Sequence, residues 1–189
     1  MAFEIACALR APLDLVLVRK IGSPNDEELA IGAIADGDDP ELVTEPHLVA
    51  DLDISPEYLK EGKSRALREI ERRRRVYLGD RRPVDVDGRT AIVVDDGVAT
   101  GATMLAALRG IRRRNPARMV LAVPVAPKHA LEQLCREVDE TVCLHIPAFF
   151  DAVGHFYTRF PQLCDQEVTA LLDRGWAFAP ASKPGLSGT

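Results

Sequence analysis

The chain has 189 residues, 47% of them apolar and 28% charged, with a net charge of -5. That length suits one domain with a sizeable core, and the acidic balance excludes nucleic-acid binding driven by bulk electrostatics. No run reaches the roughly 18 to 20 apolar residues that a membrane helix requires.

The opening residues, MAFEIACALRAPLD, lack the cationic start and apolar run of a secretory signal. Cys7, Cys135, Cys143 and Cys164 stand far apart with no CxxC pair, a pattern that reads as reduced structural thiols rather than a zinc site. A cytoplasmic protein is therefore expected. Basic residues cluster at Arg72, Arg73, Arg74 and Arg75, at Arg81 and Arg82, and at Arg112, Arg113 and Arg114. These runs fall on or beside helical patterns with acidic neighbours and read as solvated helix faces, not as a site for a polyanion.

A short helix opens the chain, over 2–9. In chain order, residues 13–18 (LDLVLV) read as a strand, as do 29–34. Ser55, Pro56 and Glu57 supply an N-cap, a first-turn proline and an early acid for a long helix running to about residue 78. A strand follows at 91–95, a helix at 101–113, a strand at 119–125, a helix at 128–138, a strand at 141–146 and a last helix around 165–174. The small, polar stretch 179–189 reads as a disordered tail beyond a single domain at 1–178. Apolar strands separated by helices indicate an α/β protein, doubly wound, with a mostly parallel sheet and helices on both faces. In such sheets the functional site lies beyond the carboxyl ends of the strands.

At one such end the sequence reads IVVDDGVATGAT, from Ile92 to Thr103. A buried strand runs into two adjacent acids, then into a turn of small and hydroxyl residues that opens a helix. Gly97 and Gly101 allow backbone angles that side chains disfavour, and with Ala99 and Ala102 they leave room for a ligand against the main chain. Amides at the helix start, with the hydroxyls of Thr100 and Thr103, make an anion site suited to a phosphate monoester. Asp95 and Asp96 would repel that phosphate, so they point to a ligand that also carries hydroxyls, a cation, or both. A ribose 5-phosphate meets both conditions. An ordinary strand-to-helix connection fits the order of residues less well, and neither a GxxxxGK[ST] loop nor a GxGxxG after a strand is present.

These twelve residues resemble the PRPP-binding signature of type I phosphoribosyltransferases. LDLVLVRKIGSP, MVLAVPVAP and IPAFFDAVGHFY extend the resemblance to a bacterial subgroup over most of the chain. The resemblance implies a phosphoribosyltransferase-like fold and a reaction in which a nitrogen acceptor, usually a nucleobase, displaces pyrophosphate from 5-phosphoribosyl-1-pyrophosphate. It implies that Asp95 and Asp96 hold the ribose hydroxyls. Gly97, Val98, Ala99, Thr100, Gly101, Ala102 and Thr103 would form the PRPP loop, with the 5-phosphate on residues 98–103. Arg19 and Lys20 would lie near the pyrophosphate, so the catalytic set is Asp95, Asp96 and Lys20. Mg²⁺ would be coordinated mainly by ligand oxygens and water, with no direct protein ligand. Phe149, Phe150 and Tyr157 would cover a planar acceptor, and a homodimer is common in the family.

Two departures from the family pattern stand out. The stretch 22–28 (GSPNDEE), matching a loop that closes over the site, carries acids and no basic residue. The family's first strand and pyrophosphate loop are missing ahead of the helix at 2–9. The missing strand would lie between 13–18 and 91–95, so the natural product is expected to start upstream of Met1, which sequencing the native N-terminus would decide. The alternative to an enzyme is a non-catalytic PRPP-binding regulator of nucleotide metabolism. An acid-pair phosphohydrolase fits least, for want of a wider acidic cluster.

Overall fold

The computed structural model describes residues 1–27, 29–37, 40 and 42–178; the expected tail at 179–189 lies outside them. Its helices are α1 (Ala2–Leu9), α2 (Pro46–Asp51), α3 (Pro56–Leu78), α4 (Ala102–Arg112), α5 (Lys128–Leu134) and α6 (Asp165–Trp176). Its strands are β1 (Val18–Gly22), β2 (Ala30–Ala35), β3 (Leu42–Thr44), β4 (Thr90–Val94), β5 (Arg118–Val125) and β6 (Glu140–His145).

The strands form two sheets among the described residues, β1-β2-β3 and β4-β5-β6. The first is an antiparallel meander, as its short connections require. The second is wholly parallel, because α4 and α5 carry the chain back between its strands. β1 and β4 each present one unpaired edge.

Strand pairing also corrects the first expected strand. Residues 13–17 belong to no ladder, and β1 begins only at Val18, opposite Ala35 of β2. The preceding backbone is held by other groups: the Leu13 amide donates to the Gly175 carbonyl, and the Leu17 amide donates to Asp36 Oδ1 at 3.1 Å.

Packing makes the protein doubly wound. α4 lies on one face of the first sheet and α3 on the other, with α6 behind α3 and α1 beside α6. One core cluster joins Ala33, Ala35 and Val43 of the first sheet to Val93, Met119 and Leu121 of the second, with Leu105 and Leu108 of α4 between them. α5 adds Ala130, Leu131 and Leu134 to the same cluster.

The long helix α3 buries a narrow stripe at Gly62, Ala66 and Ile70, one residue per turn. Ser55 caps it as expected, accepting from the Tyr58 amide at 3.1 Å. Gly62 is required by proximity, since a Cβ there would stand 2.8 Å from Ile21 Cγ2 of β1. No helix among the described residues is long and apolar enough to cross a membrane.

Candidate functional site

The motif Asp95–Thr103 spans the strand-to-helix junction at the carboxyl end of β4. The Asp95 amide donates to the Ala122 carbonyl at 3.4 Å and the Val98 amide to the Val125 carbonyl at 3.0 Å. β5 thus holds the turn from one side. Gly97 allows a close approach: a Cβ there would lie 2.6 Å from Val153 Cγ1 and 3.0 Å from Val125 Cγ1. Gly101 caps α4 with φ +91°, an angle that residues with side chains avoid. The end of the turn therefore points main-chain donors outward at the positive end of a three-turn helix.

Within the expected phosphate loop the structure separates two kinds of residue. Val98 is buried and its amide is occupied by Val125, so it supports the loop from inside. Ala99 and Thr100 are exposed, and the Thr100 and Thr103 hydroxyls make no hydrogen bond among the described residues. The donors available to a phosphate therefore lie at residues 99–103.

Asp95 and Asp96 lie side by side, and the Asp96 amide donates to Asp95 Oδ1 at 2.9 Å. Both residues retain exposed surface, yet protein crowds their carboxyls on the inner side. That burial pushes Asp95 up to about 6; the Asp96 charge adds to the rise and the Asp96 amide opposes it. Burial raises Asp96 as well.

A carboxyl raised above its ordinary 3.8 favours the folded state below that value, and this contribution disappears as pH rises through about 6. Asp95→Asn is therefore expected to raise the melting temperature at pH 7.5, with the gain shrinking toward pH 4. Water on the exposed side limits the effect to about 1 kcal/mol, a rise of roughly 2–4 °C for a chain of this size. Scanning calorimetry at the two pH values checks it.

Arg19 and Lys20 are not brought together. They alternate across β1, as neighbours in a strand must. Arg19 faces α3 and pairs with Glu69 at 2.6 Å. Arg72 and Arg73 share that carboxylate, and the three guanidiniums hold Glu69 far below the usual range. Lys20 is exposed on the opposite face and makes no ion pair among the described residues. Val18, on the same face of β1 as Lys20, packs against the core that contains α4.

The loop after β1 closes on itself as a hairpin turn. The Ser23 amide donates to the carbonyls of Asp26 and Leu29, and the Ser23 hydroxyl donates to the Asp26 carbonyl at 3.0 Å. Tyr58 of α3 donates to the Gly22 carbonyl at 3.0 Å.

The three aromatic candidates have different fates. Phe149 is 93% exposed, and Phe150 stacks on Phe156 with centroids 5.5 Å apart. Tyr157 reaches the motif itself, donating its hydroxyl to the Asp96 carbonyl at 2.5 Å. Sequence reading missed Val153 and Phe156 as site residues, although both lie in IPAFFDAVGHFY, the stretch that extends the resemblance.

The arginine runs are satisfied largely within the molecule. Arg75 pairs with Glu71 at 3.0 Å, Arg74 with Asp36 at 3.6 Å, Arg109 with Glu137 at 2.9 Å and Arg112 with Asp139 at 3.2 Å. A cavity of about 530 Å³ opens at the far end of α4 from the motif, lined by Arg74, Arg82, Arg109, Arg113, Arg114 and the half-buried Asp36 among others. It is a basic recess whose charges are already engaged in part by the protein's own acids and by the Val84 carbonyl, which accepts from Arg114.

The profile of the phosphoribosyl transferase domain matches residues 1–157. The chain belongs to the phosphoribosyltransferase family. Two proteins of Mycobacterium tuberculosis, from strains CDC 1551 / Oshkosh and H37Rv, are each 41% identical over 174 residues and provisionally named phosphoribosyl transferases. The match takes in 92% of this chain and 39% of each relative, so the chain spans well under half of their length. The crystal structure of a Thermus thermophilus protein is similar with a TM-score of 0.70 and 38% identity, covering 94% of this chain and 82% of that one. The phosphoribosyltransferase signature read from the sequence thus lies within the matched domain, and the fold it implied is the fold observed.

Proposed function

We propose that this domain transfers the ribose 5-phosphate of PRPP to a nitrogen acceptor, a nucleobase being the acceptor class, with release of pyrophosphate. The observation that carries the reading is the junction after β4. Two carboxylates and a cluster of main-chain and hydroxyl donors stand at opposite ends of one short turn, an order that suits the hydroxyls and the 5-phosphate of one sugar. Asp95 and Asp96 accept from the two ribose hydroxyls, which needs them ionised. The amides of residues 99–103 and the Thr100 and Thr103 hydroxyls take the 5-phosphate.

At the anomeric carbon the bond to pyrophosphate breaks, its electron pair leaving with the pyrophosphate oxygen, and a bond to the acceptor nitrogen forms as that nitrogen loses a proton. Such displacements develop positive charge on the sugar, which the nearby carboxylates favour electrostatically. Lys20, without an ion pair among the described residues and on the α4 side of β1, supplies positive charge toward the leaving group; Arg19 is held by Glu69 and contributes less. No cluster of three metal-binding side chains occurs among the described residues. Two acids beside a phosphate site fit a Mg²⁺ that is bound mostly by ligand oxygens and water and neutralises the pyrophosphate.

The domain is proposed to span residues 1–178, to act in the cytoplasm and to pair as a homodimer. The regulator alternative draws its nucleic-acid surface from the arginine runs, and their engagement by Glu69, Glu71, Asp36, Asp173 and Asp139 weighs against it.

Pyrophosphate release measured with PRPP, Mg²⁺ and a panel of nucleobases tests the proposal. Release that depends on both PRPP and one base is the expected result. PRPP binding without release for any base, joined to nucleic-acid affinity that falls steeply with salt, would replace the enzyme by the regulator.

A further inference from the structure

We infer that Tyr157 is a positioning residue for the acid pair: from the segment between β6 and α6 it pins the Asp96 carbonyl and so sets the Asp95–Gly97 turn in its ligand-holding form. The inference rests on the PRPP reading of that turn and adds to it a residue remote in sequence.

Two separate elements hold the turn. β5 accepts from the amides of Asp95 and Val98. The second hold is the Tyr157 hydroxyl, which donates to the Asp96 carbonyl at 2.5 Å. The same segment contributes Val153, whose methyl group fills the space a side chain at Gly97 would need. Asp96 and Gly97 are thus in contact with both the end of β5 and residues 153–157.

The second hold is itself braced. Phe156 sits between the rings of His145 and Phe150, with centroids 5.7 Å and 5.5 Å away. Tyr157 packs on Phe160 at 5.1 Å, and Phe160 lies against Gly154, where a Cβ would be 3.1 Å from its ring. Such a cluster holds the phenol in place at little entropic cost, since aromatic side chains have few rotatable bonds. Burial, with the Asp96 and Asp95 charges, raises the phenol above its ordinary value, so it remains a hydrogen-bond donor throughout the neutral range.

This placement separates two roles for one residue. A Tyr157 that covers the acceptor would act on the nucleobase and leave PRPP affinity alone. A Tyr157 that sets the acids acts on PRPP before any acceptor arrives.

Tyr157→Phe keeps the ring and removes the donor, so the fold is expected to survive with its melting temperature within about 3 °C of wild type. Two readouts on the full chain test the role. In ligand-free protein, carboxyl NMR follows Asp95. Its midpoint, about 6 in the wild type, is expected to fall toward the ordinary value in the variant as water enters the loosened turn. By calorimetry with Mg²⁺, PRPP affinity is expected to drop about tenfold, the worth of one hydrogen bond to the site.

An unchanged Asp95 midpoint overturns the inference even if the chain binds no PRPP, which would be a failure of the functional proposal alone. An unchanged PRPP affinity in a binding-competent protein overturns it too, whatever happens to acceptor kinetics. Val153→Ala loosens the same turn without touching the phenol and is expected to move both readouts in the same direction. If it moves neither while Tyr157→Phe moves both, the hydroxyl alone does the positioning.

Discussion

Replacing Asp95 and Asp96 together by asparagine is expected to abolish PRPP binding in calorimetry, weakening it at least about a hundredfold. Hydrogen bonds to charged groups are worth about 1.5–3 kcal/mol each, and the pair would lose at least two toward the ribose hydroxyls. Asparagine keeps the shape and one acceptor of each side chain but loses the charge that favours a developing sugar cation. The double variant should remain folded. Asp95 is a destabilised carboxylate in the native state, lifted to about 6 by its surroundings, so removing its charge relieves a strain on the fold. Loss of binding with retained or increased melting temperature would mark the acids as functional. Undiminished binding would mean that the ribose lies elsewhere. The lifted carboxyl also sets a pH sense: PRPP affinity should rise as pH increases through about 6, where Asp95 gives up its proton.

Leu108→Ala is expected to cost about 3 kcal/mol of stability, in the usual range of 2–5 kcal/mol for a buried leucine. Leu108 is fully buried on α4, in the cluster that carries Ala33, Ala35 and Val43 of one sheet and Val93, Met119 and Leu121 of the other. The two sheets share no ladder, so a large part of what joins them is this apolar contact across α4. A cavity there loosens the sheet-to-sheet joint as well as losing contacts, and it lies at the middle of the helix whose first turn follows the proposed phosphate loop. Thermal unfolding should show a drop of roughly 6–12 °C, with PRPP affinity reduced less than in the aspartate pair. A fall of only a degree or two would show that the joint is held elsewhere.

The parts of the protein legible in advance are those whose causes are contiguous in the chain. IVVDDGVATGAT carries its own strand, its own turn glycines and its own helix start, so the junction from β4 to α4 could be placed without knowing the fold. The long helix was equally local: a serine cap, a first-turn proline and an early acid were enough to place its start at Pro56, with its end expected at about residue 78. Arg19 and Lys20 were expected together just past a strand at 13–18; both lie inside β1 instead, where alternation turns them to opposite faces, and Glu69, fifty residues away, pairs with Arg19.

Residues 13–17 show the limit from the other side. Their apolar pattern is that of a strand, but a ladder needs a neighbour, and among the described residues pairing begins only where β2 comes alongside at Val18. β3 and α2 are three and six residues long, too short for periodicity to reveal, and exist because the meander and its closing loop bring them into contact. The division of the strands into an antiparallel and a parallel group, and the joint made by α4, are likewise products of packing. So is the placement of Tyr157. By itself the sequence determined the α/β class and, through a resemblance carried by IVVDDGVATGAT, the family, and it located the acid pair and the turn after it, since these are contiguous in the chain. Which of the surrounding groups face that turn was decided by the tertiary structure, since hydrogen bonds between residues 61 positions apart, such as Tyr157 to Asp96, exist only once the chain has folded back on itself.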